Sequence, residues 1–245
     1  MSNSFFHFKS FSIYKQTKGL KVGTDACVLG ALAQFQNAKT ILDIGTGSGI
    51  LALMMAQKHP EAKILAIEKT KAIAEQAQFN VQSSAFADQI QVIERNILEL
   101  ESEQIFDGII ANPPYFDNHL KGQEPSKNNA MHIEDLHPEK LLKTCFKLMH
   151  EHSTMWLIYP ANTAISVLNY WQSIGGFILE QIHVYERGNK HIRTILCLGL
   201  KLGESHLKQI VLKTETGEIS EAFRQLMQDF YLENTDVYKA RKQAD

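Results

Sequence analysis

The chain sets 25 Lys and Arg against 27 Asp and Glu over 245 residues, a formal net charge of −2. No global positive field therefore advertises a nucleic-acid ligand, and a local patch would have to serve. Cys27, Cys145 and Cys197 stand alone, which excludes a disulfide framework and zinc-ligand spacing and leaves three small buried hydrophobes in a reducing compartment. The first residues lack a signal-peptide apolar core, and no stretch approaches the length of a membrane span. The expectation is a soluble, cytoplasmic protein with no metal and no membrane partner, long enough to bury one full core.

Residues 1–23 hold Lys9, Lys15, Lys18 and Lys21 and no acid, interleaved with Phe5, Phe6, Phe8, Phe11 and Tyr14. Two readings stand together: rings and lysines that meet bases and phosphates, or a β-hairpin covering a sheet with its aromatics inward. Lys21-Val22-Gly23-Thr24-Asp25 then leads into an apolar helix through Ala33. Thr24 and Asp25 are candidates to cap it or to line a cofactor pocket.

From residue 40 strands and helices alternate. Strand 40–44 precedes a helix over 48–58 with Ser48 as cap. Strand 63–67 precedes a helix over 70–83 with Ile73, Ala77 and Val81 on one stripe. Strands 89–93 and 106–111 follow. Residues 112–136 form a long polar loop with Lys121, Lys127 and His132, read as a mobile substrate flap. Pro138 opens a helix as its first-turn proline, with Leu141, Leu142, Cys145, Phe146 and Met149 inward. Strand 153–159 and a helix over 161–174, burying Ile165, Leu168 and Trp171, come next.

Strands near 177–185 and 193–200 are joined through Glu186–Ile192, which carries Arg187, Lys190 and His191, with Arg193 just beyond. This is either a charged hairpin turn or a contact to nucleic-acid phosphate. A strand over 208–214 and a helix capped by Ser220, with Phe223, Leu226 and Phe230 inward, end the pattern before a polar tail. The fold class is α/β: a seven-stranded, mostly parallel, doubly wound sheet with an antiparallel C-terminal strand and an N-terminal β-hairpin-like cap. It reads as one domain, with 1–39 the cap, 40–200 the core and 201–245 the last strand and helix.

The chemistry concentrates at three strand ends. Thr40–Gly49 is a strand, a loop with Gly45, Gly47 and Gly49, and a helix start, the opening of a doubly wound sheet that places a ligand at the strand's carboxyl end. Its spacing is G-x-G-x-G, because position 50 is Ile, which disfavours a nicotinamide dinucleotide. Asp43 would orient this loop or reach a ligand amino group. Glu68, with Lys69 beside it, ends the second strand, where an acid accepts both hydroxyls of a ribose; the alternative is a solvated loop carboxylate. Asn96 and Ile97 would give an adenine ring one polar partner and one apolar face, unless Asn96 is only a turn residue. Asn112-Pro113-Pro114-Tyr115 follows the fourth strand, where two prolines stop the ladder and make a rigid loop.

The glycine loop and Asn112–Tyr115 together resemble the class I S-adenosylmethionine-dependent methyltransferases that modify exocyclic amines. Lys21–Asp25, Leu42–Gly49, Asn112–Tyr115, Ser220-Glu221-Ala222-Phe223 and Asp229-Phe230-Tyr231-Leu232 narrow the likeness. From about Phe8 to Leu232 the chain resembles the bacterial tRNA(Val) adenine-37 N6-methyltransferases. The resemblance implies a class I methyltransferase fold, S-adenosylmethionine as cofactor, tRNA as partner and adenine N6 as acceptor. It implies Asn112, Pro113, Pro114 and Tyr115 as catalytic residues. Cofactor contacts fall to Thr24, Asp25, Asp43, Gly45, Gly47, Gly49, Glu68, Lys69, Asn96, Ile97 and Asn112. A monomer is the favoured state.

Three rivals remain. Release-factor glutamine methyltransferases share the Asn-Pro-Pro-Tyr motif but carry a helical N-terminal domain, for which residues 1–39 are too short and too basic. Guanine N2 methylation of rRNA is the second. An inactive RNA-binding module is the third, against which the glycine loop, Glu68 and Asn112 argue together.

Overall fold

A computed structural model describes residues 5–14, 22–100, 104–114 and 136–232. Tyr115, the greater part of the expected flap with Lys121, Lys127 and His132, residues Lys15, Lys18 and Lys21, and the polar tail lie outside the described residues. The N-terminal segment gives β1 (Phe5–His7), β2 (Ser12–Tyr14) and α1 (Thr24–Leu32). The glycine-loop half gives β3 (Thr40–Ile44), α2 (Ile50–Lys58), β4 (Lys63–Glu68), α3 (Lys71–Gln82), β5 (Ile90–Glu94), a 3₁₀ turn (Ile97–Glu99) and β6 (Phe106–Ala111). The remainder gives α4 (Pro138–Lys147), β7 (Met149–Pro160), α5 (Ala161–Ser173), β8 (Phe177–Arg187), β9 (His191–Gly199), β10 (His206–Lys213) and α6 (Glu221–Met227).

β1 and β2 pair with each other, and the other eight strands form one sheet in the order β10-β8-β9-β7-β6-β3-β4-β5. The sheet has eight strands, not seven, because β10 adds in parallel to β8 at the edge. β9 is the reversed strand, antiparallel to both β7 and β8, while β7-β6-β3-β4-β5 run parallel. Both faces of this parallel centre are covered, which is why its strands read as continuous apolar runs. On one face Ile41, Ile110 and Ile158 pack with α1, α2, Val81 of α3 and Phe223 and Met227 of α6. On the other, Leu42, Ile109 and Leu157 pack with Leu141, Leu142 and Cys145 of α4 and with Trp171 of α5. Burial pushes the thiols of Cys145 and Cys197 up to about 12, so they are inert packing groups.

Several local expectations shift. α2 begins after Gly49, whose φ of +83° sets the turn, so Ser48 is not its cap and instead offers its carbonyl to Asn80 Nδ2 at 2.8 Å. α1 is preceded by Gly23 with no side-chain cap bond, so neither Thr24 nor Asp25 caps it. Met149 starts β7 instead of extending the buried face of α4. Ile165 is 63% exposed, since α5 turns Ala164, Val167 and Trp171 inward. Ser220 does cap α6, accepting from Phe223 N at 3.1 Å.

The N-terminal strand pair buries Phe8, Phe11 and Ile13 and leaves Phe5 40% exposed. It is tied to α3 through polar groups: Tyr14 N donates to Asn80 Oδ1 at 2.9 Å, and Gln76 Nε2 donates to the Tyr14 carbonyl at 2.6 Å. Asn80 thus holds the strand pair and, through Ser48, the glycine loop at once.

Candidate active site

Connections leaving β3 travel through α2 and α3 on one face towards β4 and β5, whereas β6 connects to β7 through α4 on the other face. The winding reverses between β3 and β6, and in open α/β sheets this reversal opens a crevice beyond the carboxyl ends of the strands. The register shows what borders it. Ile44 is level with both Ala111 and Ile67. Asn112 and Gly45 directly follow the last paired residues of β6 and β3, and Glu68 ends β4, so the three lie next to one another at the ends of three neighbouring strands. Asn112 is partly buried, Pro113 buried and Pro114 exposed. The three strand ends read in the sequence as chemistry-bearing are therefore brought together.

The glycine loop is held rigid by its neighbours. Gly45, Gly47 and Gly49 have φ of +68°, +56° and +83°, values that side chains oppose. Gly45 N and Thr46 N both donate to the Ile67 carbonyl, at 2.8 and 3.0 Å. Asp43 Oδ2 accepts from Thr46 Oγ1 at 2.5 Å and from Ala52 N at 3.1 Å, so it orients the loop and the first turn of α2. Glu68 is 8% exposed, not a solvated loop acid. Its Oε2 accepts from Gly47 N at 3.2 Å and its Oε1 from Thr70 N at 3.0 Å.

Three features fit a ligand with an amino group and a ribose. Asp43 Oδ1 is buried without a hydrogen-bond partner among the described residues. Burial pushes the Asp43 carboxyl up to about 7, against the bonds from Thr46 and Ala52, with Glu68 adding to the rise. An arriving cation would relieve that burial. A Cβ built on Gly45 meets nothing within 4 Å, so the loop has open space where close approach is needed. Each Glu68 oxygen holds one N–H and keeps a lone-pair site for a hydroxyl.

The other expected contacts sit differently. Asn96 caps the 3₁₀ turn, with Oδ1 accepting from Leu98 N at 3.1 Å and Nδ2 donating to Glu99 Oε1 at 3.3 Å, as its turn reading required. Ile97 is 4% exposed and belongs to the core beneath α4. Asp25 accepts from Arg193 Nε at 2.8 Å, which ties α1 to β9. Lys69 follows Glu68 at the turn into α3 and is half-buried. Sequence reasoning missed Asn80, whose signal, an amide one turn from the buried Gln76 and Ala77 on an amphipathic helix, is that of an ordinary surface residue.

Comparison with known proteins agrees with this geometry. Residues 17–131 match the methyltransferase small domain family. A crystal structure of a methyltransferase from Pyrococcus furiosus superposes with a TM-score of 0.59 at 20% identity, covering 78% of this chain and 90% of that one. A predicted O-methyltransferase from Agrobacterium tumefaciens gives 0.64 at 18% identity over 84% of this chain and 96% of that one. Both show the class I methyltransferase fold. In sequence, the tRNA1(Val) (adenine(37)-N6)-methyltransferase of Bacteroides thetaiotaomicron is 35% identical over 235 residues, 95% of this chain and 99% of its own. That of Pseudoalteromonas translucida is 35% identical over 228 residues, 93% of this chain and 98% of its own. With such identity along nearly the full length of both relatives, the chain belongs to the tRNA1(Val) (adenine(37)-N6)-methyltransferase family.

Proposed function

We propose that this protein methylates N6 of an adenine in tRNA, adenine 37 beside the anticodon of tRNA(Val), with S-adenosylmethionine as methyl donor. The observation that carries the reading is the rank of Asn112, Gly45 and Glu68 across the point where the winding reverses. Family membership supplies the substrate, since the relatives named above act on adenine 37 of tRNA1(Val).

When bound, the cofactor supplies a methyl group already activated by a sulfonium. Glu68 takes the ribose hydroxyls, the glycine loop allows close approach, and Asp43 Oδ1 is the acceptor for the amino group. Lys69, half-buried beside Glu68, is the further expected contact that stays next to this pocket, while Asn96 caps its own turn, Ile97 is packed in the core and Asp25 is engaged by Arg193. Asn112 and Pro113 hold the acceptor. An adenine amine is a poor nucleophile because its lone pair is delocalised into the ring. Two acceptors, Asn112 Oδ1 and the Pro113 carbonyl, hold its N–H bonds and favour the pyramidal form in which the lone pair is free to attack. A neutral amide does this without the desolvation cost of a buried carboxylate. Tyr115 offers its ring to the extruded base; stacking is worth roughly 1–3 kcal/mol, comparable with the few kcal/mol that extrusion costs.

The test is transfer from labelled S-adenosylmethionine into tRNA isolated without this modification, followed by nuclease digestion. Label in N6-methyladenosine is expected. Label in a protein glutamine or in N2-methylguanosine would move the assignment to one of those acceptors.

A further inference from the structure

The charged connection Glu186–Ile192 closes the β8–β9 hairpin. Because β8 runs parallel to β7, this hairpin emerges at the carboxyl edge of the sheet, the edge that carries Asn112. Ala111 is level with Leu157, Leu157 with Leu196, and Leu196 with Gln181. Asn112 lies one residue beyond this row and His183 two. Three strand spacings of about 4.8 Å separate β6 from β8, so the two positions are roughly 14 Å apart along one edge.

Three rings gather there. The His191 centroid is 4.4 Å from that of His183 and 5.1 Å from that of Tyr185, with about 30° between planes in both pairs. His191 Nε2 lies 2.9 Å from the Arg193 carbonyl and 3.1 Å from Thr194 Oγ1. A carbonyl only accepts, so Nε2 carries the proton and the ring is fixed in orientation. Burial, then the neighbouring His191, hold His183 below the usual histidine value, so near neutral pH it presents an uncharged face. All three rings are half-buried, with part of their surface open. Around them, Lys190 and Lys213 share Glu186 at 2.6 and 3.1 Å, and Arg193 is paired with Asp25. Arg187 is exposed and makes no ion pair among the described residues.

We propose that the His183–Tyr185–His191 cluster, with Arg187 beside it, is a stacking platform for an unpaired nucleotide that flanks the target adenine. This rests on the tRNA reading above. Unpaired RNA is recognised by stacking splayed bases on aromatic rings and guanidinium planes. A ring cluster held by the hydrogen bonds of His191, with the exposed Arg187 two residues beyond Tyr185 on β8, offers both. Its place on the Asn112 edge lets one short single-stranded run reach both sites.

The experiment measures binding of an unmodified anticodon stem-loop by fluorescence anisotropy, with S-adenosylmethionine affinity by calorimetry and steady-state methylation as companions. Tyr185→Ala is expected to raise the RNA dissociation constant and KM about 5- to 150-fold, the equivalent of roughly 1–3 kcal/mol per stacked base. The affinity for S-adenosylmethionine should stay at the wild-type value, and Tyr185→Phe should restore RNA binding. Arg187→Glu, at an exposed position, should weaken binding and flatten its salt dependence without disturbing the fold. If wild type binds and methylates the stem-loop and both Tyr185→Ala and Arg187→Glu bind it equally well, the platform is overturned while the tRNA reading stands. If wild type neither binds nor methylates the RNA, the tRNA reading itself falls, and the platform with it.

Discussion

Glu68 holds the glycine loop and the turn into α3 through the same two oxygens that are proposed to take the cofactor ribose, and substitutions test the two duties apart. Glu68→Ala leaves the Gly47 and Thr70 N–H groups without their acceptor. Burying such donors unpaired costs about 1–3 kcal/mol, so this variant should lose stability as well as cofactor affinity. Glu68→Gln keeps one acceptor oxygen. With one of the two N–H groups still paired it should lose less stability than Glu68→Ala, while binding S-adenosylmethionine about tenfold or more weakly, the equivalent of about 1.4 kcal/mol. Calorimetric affinity equal to wild type would remove Glu68 from the cofactor site. Asp43 gives a second prediction. Folding raises its carboxyl from 3.8 to about 7, so between those values the folded chain holds a proton that the unfolded chain has lost. Stability conferred by that protonated form is present at low pH and falls as pH rises through the window, by at most roughly 4 kcal/mol. Thermal unfolding of the cofactor-free protein should show this decline, and Asp43→Asn should flatten it. A parallel slope in the variant would contradict the assignment.

At the scale of elements, the regular parts were legible because their signals are local. β3, β4 and β6 are bounded by glycines, an acid and a double proline, and fall within a residue of the expected limits. α6 follows its Ser220 cap. What escaped the sequence depends on partners far along the chain. Nothing in the pattern of α5 says which residue of a four-residue stripe meets the sheet, and Ile165 turned outward. Ser48 has the chemistry of a cap, but the left-handed Gly49 intervenes. The eighth strand was read as a strand, yet its place at the sheet edge depends on pairing with β8, which periodicity does not encode. Asn80 is the clearest case, since its role appears only once Tyr14 and Ser48 are next to it. Asn80→Ala should speed amide hydrogen exchange at residues 12–14 and 45–49 together, because one amide serves both. Faster exchange in only one of the two segments would show that they are held independently.

Across the whole molecule, charge is nearly balanced, so recognition of a polyanion falls to position and not to a global field. The sheet's carboxyl edge supplies that position. The proposed cofactor contacts lie at the ends of β3 and β4, the proposed acceptor loop follows β6, and the basic and aromatic hairpin joins β8 and β9, all along a single edge. Family likeness was already readable in the glycine loop, Asn112–Tyr115 and Lys21–Asp25, because those motifs are contiguous. The coincidence of Asn112, Gly45 and Glu68 at one row needed the register.

The central claim is that Asn112, at that row, acts on the chemical step. Single-turnover methylation of unmodified tRNA(Val) by wild type and Asn112→Ala, each saturated with S-adenosylmethionine and RNA, tests it most directly. The rate constant at saturation should fall about 10²- to 10³-fold, as when one hydrogen-bonding group aimed at a transition state is removed. An Asn112→Ala enzyme that forms N6-methyladenosine at the wild-type rate would contradict the account.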